Sequence, residues 1–420
     1  MEAKRRKLGL SKALALAAVG LSLCLSAHGE PKYKILHSFN GNDGSGPYGG
    51  VILDLKGTLF GTASGGGPCG TVFELSPQKS GEWKETVLYQ FHANDDGCDP
   101  WSSVILDPAG NLYATTVGGG TYLAGTVFEL TSGADGWTET ILYNFGTHSD
   151  DGGNPTAGLV MDESGNLYGT TPKGGTPTTN GGTLFELTPG SGGSNETVLY
   201  RFCVSMPVCE DGGAPSAGLI LDAAGNLYGT TGYGGTGCVG EGCGTVYELT
   251  PVSGGGWNET VLHRFHNNGK DGYTPGSGAV LMDGSGSLYG TTEVGGTIGY
   301  GTVFRLTPGP HGRWKEIVIY DFKPGASGWF PGAGVVMDKA GNLYGTTDSG
   351  GEPFCDCGVI YKLAPGPKGK WTYTVLHEFG IGDDGGVPAG NLVMDTEGNL
   401  YGGTVLGGAY GIGVIFELTP

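Results

Sequence analysis

The stretch "SGNLYGTTPKGGT" occupies residues 164–176. Its apolar and β-branched residues, closed off by glycines, read as a short strand running into a loop. Near-copies follow the whole chain: GTLFGTASGGG (57–67), GNLYATTVGGGT (110–121), GNLYGTTGYGGT (225–236), GSLYGTTEVGGT (286–297), GNLYGTTDSGGE (341–352) and GNLYGGTVLGGA (398–409). A strand made seven times implies a repeat architecture, so the repeat is read before any motif.

The unit around each copy has four parts. The first begins with Pro and small residues and ends in Asp, as in PTAGLVMD (155–162) and PGAGVVMD (331–338). The second is the opening stretch. The third is GTVFELT (125–131) or its cognates, and the fourth is WTETILYNF (137–145) or WNETVLHRF (257–265). Each part is short, rich in Val, Ile, Leu, Tyr, Phe and Thr, and bounded by turn residues, so the unit predicts a four-stranded antiparallel meander. Outside the first 29 residues no stretch shows a helical apolar period.

Seven such units predict an all-β fold, a seven-bladed β-propeller of four-stranded antiparallel blades. A solenoid is the alternative. The ends of the repeat array favour the ring. YKILHSF (33–39) is a fourth strand with no strands before it, and GVIFELTP (413–420) is a third strand with none after it. Together they complete one blade and close the ring. The small residues of strand one suit the crowded axis, so it is expected to be innermost. The 2–3 and 4–1 loops then share one face.

Gly 87 and Pro 23 make up about a quarter of the 420 residues, a fraction that would suggest low complexity. The apolar residues keep register with the glycines, and only 15% of residues are charged, so the glycines read as turn positions. Residues 1–29 differ: KRRK (4–7), an apolar run, and AHG (27–29) form a secretory signal peptide, leaving 30–420 as a single propeller domain. A membrane anchor is the alternative, though the run is short for a span. Five Lys/Arg and Glu2 lie in that leader, so its removal takes the formal charge from −19 to −23. Such a field disfavours nucleic acid and anionic membranes. No other apolar run is long enough to span a membrane, and a monomer is expected.

Eight cysteines remain: Cys69, Cys98, Cys203, Cys209, Cys238, Cys243, Cys355 and Cys357. An even number in an exported chain points to disulfides. Cys203/Cys209 and Cys238/Cys243 share loops, and Cys69/Cys98 would close a longer one. Cys355 and Cys357 form a CxC pair, awkward as a disulfide. All eight fall in 2–3 or 4–1 loops, which marks one face as variable and stapled.

The pattern DGGNPTAGLVMDESGNLYGTT…GGTLFELT…ETVLYRF resembles the tandem repeat named for Gloeobacter and Verrucomicrobia, the GloVer repeat, over essentially the whole chain after the leader. The resemblance implies an exported repeat protein and no established activity or catalytic residue. Members often carry a carboxy-terminal sorting or anchoring tail. This sequence stops at Pro420, which makes free secretion or a periplasmic location the expectation.

Six 4–1 loops carry Asp-Gly: Asp43, Asp96, Asp151, Asp211, Asp271 and Asp384. They read either as turn staples or as a carboxylate ring at the channel mouth able to hold Ca²⁺, with no other cofactor implied. The Asp before each xxGN (Asp107, Asp162, Asp222, Asp283, Asp338, Asp395) reads as a hairpin residue. Residues that break the symmetry are more informative. Tyr48 and Trp101 follow the repeated Pro where five blades have a small residue, and Trp329 and Phe330 precede it in blade 6. With Tyr233 in a 2–3 loop, these aromatics are candidates for stacking on sugar rings, or for plugging the channel. The Trp opening five fourth strands (Trp83, Trp137, Trp257, Trp314, Trp371) and His37, His263 and His377 read as packing residues. A His–carboxylate pair from His92 or His266 with Asp96 or Asp271 is a possible acid–base couple.

The sequence supports a non-enzymatic module that binds a glycan or protein on the loop face. An extracellular carbohydrate-active hydrolase or lyase and a structural envelope component are the alternatives.

Overall fold

A computed structural model describes residues 30–420 except 93–94, 177, 191–193, 205–208, 237, 239–241, 277, 352–354 and 381; the expected leader lies outside the described residues. Blade 1 is the meander Val51–Leu53, Leu59–Ala63, Thr71–Pro77 and Trp83–Gln90, hydrogen-bonded in that order. The same order recurs in the blades whose second strands are Leu112–Thr116, Leu167–Thr171, Leu227–Thr231, Leu288–Gly295 and Leu343–Thr347. Blade 7 is composite. Gly386–Met394, Leu400–Leu406 and Val414–Thr419 are completed by Lys32–Ser38, which pairs antiparallel with Val414–Thr419 from Lys32↔Thr419 to Ser38↔Val414. The ring is therefore closed by strands from opposite ends of the sequence, as its ends imply. Two short 3₁₀ turns, Pro310–Gly312 and Pro367–Gly369, are the only helical segments among the described residues. None is long and apolar enough to cross a membrane.

The second and third strands are almost wholly buried, because each blade lies between two others and buries both faces. The fourth strand ends in a Phe that is fully buried in every blade: Phe39, Phe91, Phe145, Phe202, Phe265, Phe322 and Phe379. Each meets an aromatic ring on the third strand of the next blade, with centroids 4.9–5.6 Å apart, mostly edge to face. This geometry suits the quadrupoles of paired aromatic rings. The recurring Phe is thus the inter-blade bond of the ring. The Trp residues opening the fourth strands pack backwards: Trp83 on Tyr401 and Trp257 on Tyr168.

Strand one departs from expectation in length. Only two or three residues pair with strand two in blades 1–4 and 6, such as Ile105–Leu106, whereas in blade 5 Gly272–Pro275 also pairs with strand two beside Leu281–Met282. The Pro-to-Gly half of PTAGLVMD leaves the ladder and lines the axis. There the segments of neighbouring blades approach too closely for side chains. A Cβ on Gly49 would lie 2.4 Å from the Ser102 carbonyl, and one on Gly278 only 1.8 Å from the Gly334 nitrogen. Small residues at the axis are a steric requirement of seven strands converging.

The Asp before each xxGN staples its hairpin. Asp162 Oδ1 accepts from Ser164 and Asn166 N–H, both at 2.9 Å, and Oδ2 accepts from the Tyr168 hydroxyl at 3.1 Å. These bonds outweigh burial and hold its carboxyl below the usual range.

Candidate functional site at the propeller axis

All seven blades contribute to one axial cavity of about 440 Å³. Its wall is the small-residue half of each first strand, with Tyr48 and Trp101 from blades 1 and 2 and Glu293, Asp348 and Val405 from the ends of second strands. Thr62, Thr115, Thr170 and Thr291 each donate a hydroxyl to a first-strand carbonyl of the following blade (Ser102, Ala157, Ala217, Ala333), at 2.8–3.3 Å. These bonds hold the axial segments in place.

Blades 6 and 7 break the pattern. The Thr346 hydroxyl is buried with no partner. Blade 7's first strand runs long and irregular, with Gly390 at φ +69°, and Asn391 Oδ1 accepts the Gly334 N–H at 2.8 Å. Next to this seam stand Glu293 and Asp348, one on each of two consecutive blades. Both follow the repeated GTT, where the other blades have Ser64, Val117, Pro172, Gly232 and Val405. Burial, and then the negative charge of Glu293, pushes the Asp348 carboxyl up to about 7, against a lowering hydrogen bond from the Gly332 N–H. Burial raises Glu293 as well. Two carboxyls crowded in a half-buried wall hold a proton near neutrality.

In a ring of seven, blade 5 lies across the axis from the seam between blades 1 and 2. Tyr48 and Trp101 therefore line the cavity across from Glu293, with Asp348 one blade further round. They remain 43% and 41% exposed, and their ring centroids lie 5.3 Å apart at 30°. The other aromatic candidates are elsewhere. Trp329 and Phe330 pack on Tyr300, and Tyr233 bridges to Gly213. None of the three lines the cavity.

The six loop aspartates are also outside its lining. Each is bonded into the seam between two blades. Asp151 accepts from the Tyr143 hydroxyl and from Gly146, Thr147 and Gly152 N–H at 2.7–3.0 Å, and Asp96, Asp211 and Asp384 make similar sets. Asp43 and Asp271 bond His37 and His263 at 3.2 Å. His92 and His266 lie 3.7 and 3.6 Å from Asp96 and Asp271, also away from the cavity. The cysteines pair as Cys69–Cys98, Cys203–Cys209, Cys238–Cys243 and Cys355–Cys357, the CxC pair included. Such pairs fit an oxidising, extracytoplasmic environment.

The carboxyl pair is the feature that reading the sequence missed. Its signal was the blade-by-blade comparison of the residue after GTT, where two neighbours carry acids and no other blade does.

Among solved structures, the periplasmic gluconolactonase of Pseudomonas aeruginosa is similar at 16% identity, with a TM-score of 0.51 over 81% of this chain and 86% of that one. A putative 6-phosphogluconolactonase from Bacteroides uniformis gives 12% identity and a TM-score of 0.48 over 77% and 83%. A putative oxidoreductase (glucose dehydrogenase) from Thermus thermophilus gives 15% and 0.43 over 93% and 100%. At these identities the likeness is one of fold. No curated protein matches the chain. The model of the Gloeobacter/Verrucomicrobia repeat matches residues 25–241 and 237–420, and the chain belongs to that family.

Proposed function

We propose that this protein is an exported propeller that binds a saccharide-sized polyhydroxyl ligand in its axial cavity. The observation that carries the reading is the cavity itself: two exposed aromatic rings and two half-buried carboxyls lining about 440 Å³. That volume lies in the range of small-ligand sites. The ring faces of Tyr48 and Trp101 suit the C–H surfaces of a pyranose, while Glu293 and Asp348 suit its hydroxyls. The leader expected at residues 1–29 and the four disulfides support export. The net negative charge supports a neutral ligand over an anionic one.

Hydrolysis of that ligand is the second reading, favoured by the raised Asp348 carboxyl. An acid that is part-protonated near neutrality can protonate a leaving oxygen, while Glu293 accepts a proton from water.

The test is a glycan and polysaccharide array probed with the full chain, then with Trp101→Ala and Asp348→Asn. Binding at least tenfold weaker in Trp101→Ala is expected. A blank array with the wild-type chain rejects the saccharide reading, and a hit indifferent to both substitutions rejects the axial site. Product release lost in both Asp348→Asn and Glu293→Gln would favour the second reading.

A further inference from the structure

The seam where the ring closes holds a group of side chains that the axial cavity does not use. His37 stands on the closing strand, Asp43 in the loop after it, and Glu85 on the fourth strand of blade 1. Among the described residues, this is the one group of three His, Cys, Asp or Glu side chains whose donor atoms all lie within 4.8 Å of one another. His37 Nε2 is 3.2 Å from Asp43 Oδ2. Bonds of about 2.0–2.2 Å from zinc to imidazole nitrogen and carboxylate oxygen put two tetrahedral ligands roughly 3.3–3.5 Å apart. The observed spacing is therefore close to that of two ligands on one ion; without an ion the pair is a hydrogen bond, and Asp43 Oδ2 also accepts from Asn40 Nδ2 at 2.5 Å.

The electrostatics also favour a cation. Asp43 is 8% exposed, and Glu85 Oε1 is buried with no hydrogen-bond partner.

The other seams serve as internal comparisons. The same glutamate recurs as Glu139, Glu196, Glu259 and Glu316, and its Oε1 is again without a partner. In three of those seams the loop Asp meets a tyrosine instead: Tyr89, Tyr143 and Tyr200 donate to Asp96, Asp151 and Asp211 at 3.1, 2.9 and 3.0 Å. A phenol, protonated at neutral pH, is no ligand for a divalent ion. In the fourth, His263 lies 3.2 Å from Asp271, yet His263, Asp271 and Glu316 do not form such a gathered set. The repeat supplies two carboxyls at each of these seams, and an imidazole gathered with them at the closing one.

We propose that His37, Asp43 and Glu85 bind one divalent transition-metal ion of the zinc class and so fasten the amino-terminal strand to blade 1. One nitrogen and two carboxylate donors suit zinc or manganese, whereas calcium prefers six to eight oxygens. An ion that binds only the closed ring stabilises it in proportion to the logarithm of its concentration above Kd.

The test titrates the full chain, freed of metal by chelation, with ZnCl₂ under calorimetry, and repeats the melt with and without zinc. His37→Tyr imitates the three tyrosine seams and keeps a donor to Asp43. Glu85→Gln removes a ligand and preserves shape, and His263→Tyr is the control. One zinc equivalent is expected to be lost, or weakened at least tenfold, in His37→Tyr and in Glu85→Gln, and kept in His263→Tyr. Zinc should raise the Tm of the wild-type chain and of His263→Tyr only. Absence of zinc binding by the wild-type chain, or equal binding by wild type and His37→Tyr, overturns the proposal. Should His37→Tyr fail to fold, Glu85→Gln reads the same loss.

Discussion

Ring closure makes a quantitative prediction at Phe39. This residue follows the closing strand, is fully buried, and packs with Leu36, Val51, Leu59, Phe73 and Ile415, residues drawn from blades 7 and 1. Its ring centroid lies 5.2 Å from that of Phe73 at 70°. Its N–H donates to the Gly413 carbonyl at 3.1 Å, a bond that alanine would keep. Phe39→Ala therefore removes the ring and leaves the backbone intact. Burying and packing a Phe in such a site is worth about 3–5 kcal/mol. The unit Pro31–Pro420 should unfold with an entropy of roughly 0.8 kcal/mol/K, at about 2.1 cal/mol/K per residue. A loss of about 4 kcal/mol then lowers Tm by about 5 °C. The comparator is Phe202→Ala, the equivalent residue between blades 3 and 4, which packs on Tyr247 with centroids 4.9 Å apart. In differential scanning calorimetry both variants should melt in a single transition, with similar shifts, because a closed ring has no weak seam. A Phe39→Ala variant with the wild-type Tm, beside a destabilised Phe202→Ala, would refute the closure. Splitting of the transition into two would refute its cooperativity.

Other consequences concern pH and redox state. Glu85, Glu139, Glu196, Glu259 and Glu316 are each pushed up to about 7, first by burial and then by the loop Asp of the same seam. The folded state holds these protons more tightly than the unfolded chain. Their contribution to stability is complete below about pH 4.5 and is lost as pH rises through about 7. The hairpin aspartates, Asp107 to Asp338, are shifted the other way, so their contribution is lost as pH falls through the acid range. Tm measured from pH 3 to 9 should therefore peak near pH 4, and replacing all five glutamates by Gln should flatten the alkaline side; a profile still falling from pH 5 to 8 in that variant contradicts the assignment. Cys69–Cys98 spans 29 residues and should contribute about 3.5 kcal/mol on the chain-entropy model. Cys69→Ser/Cys98→Ser should then lose about 4 °C in the same melt, and an unchanged Tm would show that this staple is not stabilising.

Much of this molecule is written locally. The seven copies of NLYGTT and its neighbours specify strand, turn and blade, because β-branched and aromatic runs bounded by Gly or Asp turns act over a few residues. The orphan strands YKILHSF and GVIFELTP specify closure, because an unpaired edge strand has one complement in the chain. The hairpin role of Asp162 and its cognates was legible for the same reason: its partners lie two and four residues away. The loop aspartates were legible only as a recurring pattern. Their carboxyls face glutamates about 40 residues further along, such as Glu85 opposite Asp43, and no local signal pairs them.

The tertiary structure alone singled out the candidate site. Tyr48 and Trp101 stood out in the sequence, but so did Trp329, Phe330 and Tyr233, which turn out to pack or bridge among the loops. Glu293 and Asp348 are separated by a whole repeat, and each alone looks like an ordinary loop residue after a strand. Closing seven blades into a ring brings the ends of their inner strands to one axis. There, two acids on consecutive blades share a wall, and burial makes their proton affinity a property of the pair. The sequence determined the ring because blades are made of near neighbours. The structure determined the cavity because its wall takes a few residues from every blade, and only circular closure makes those residues adjacent.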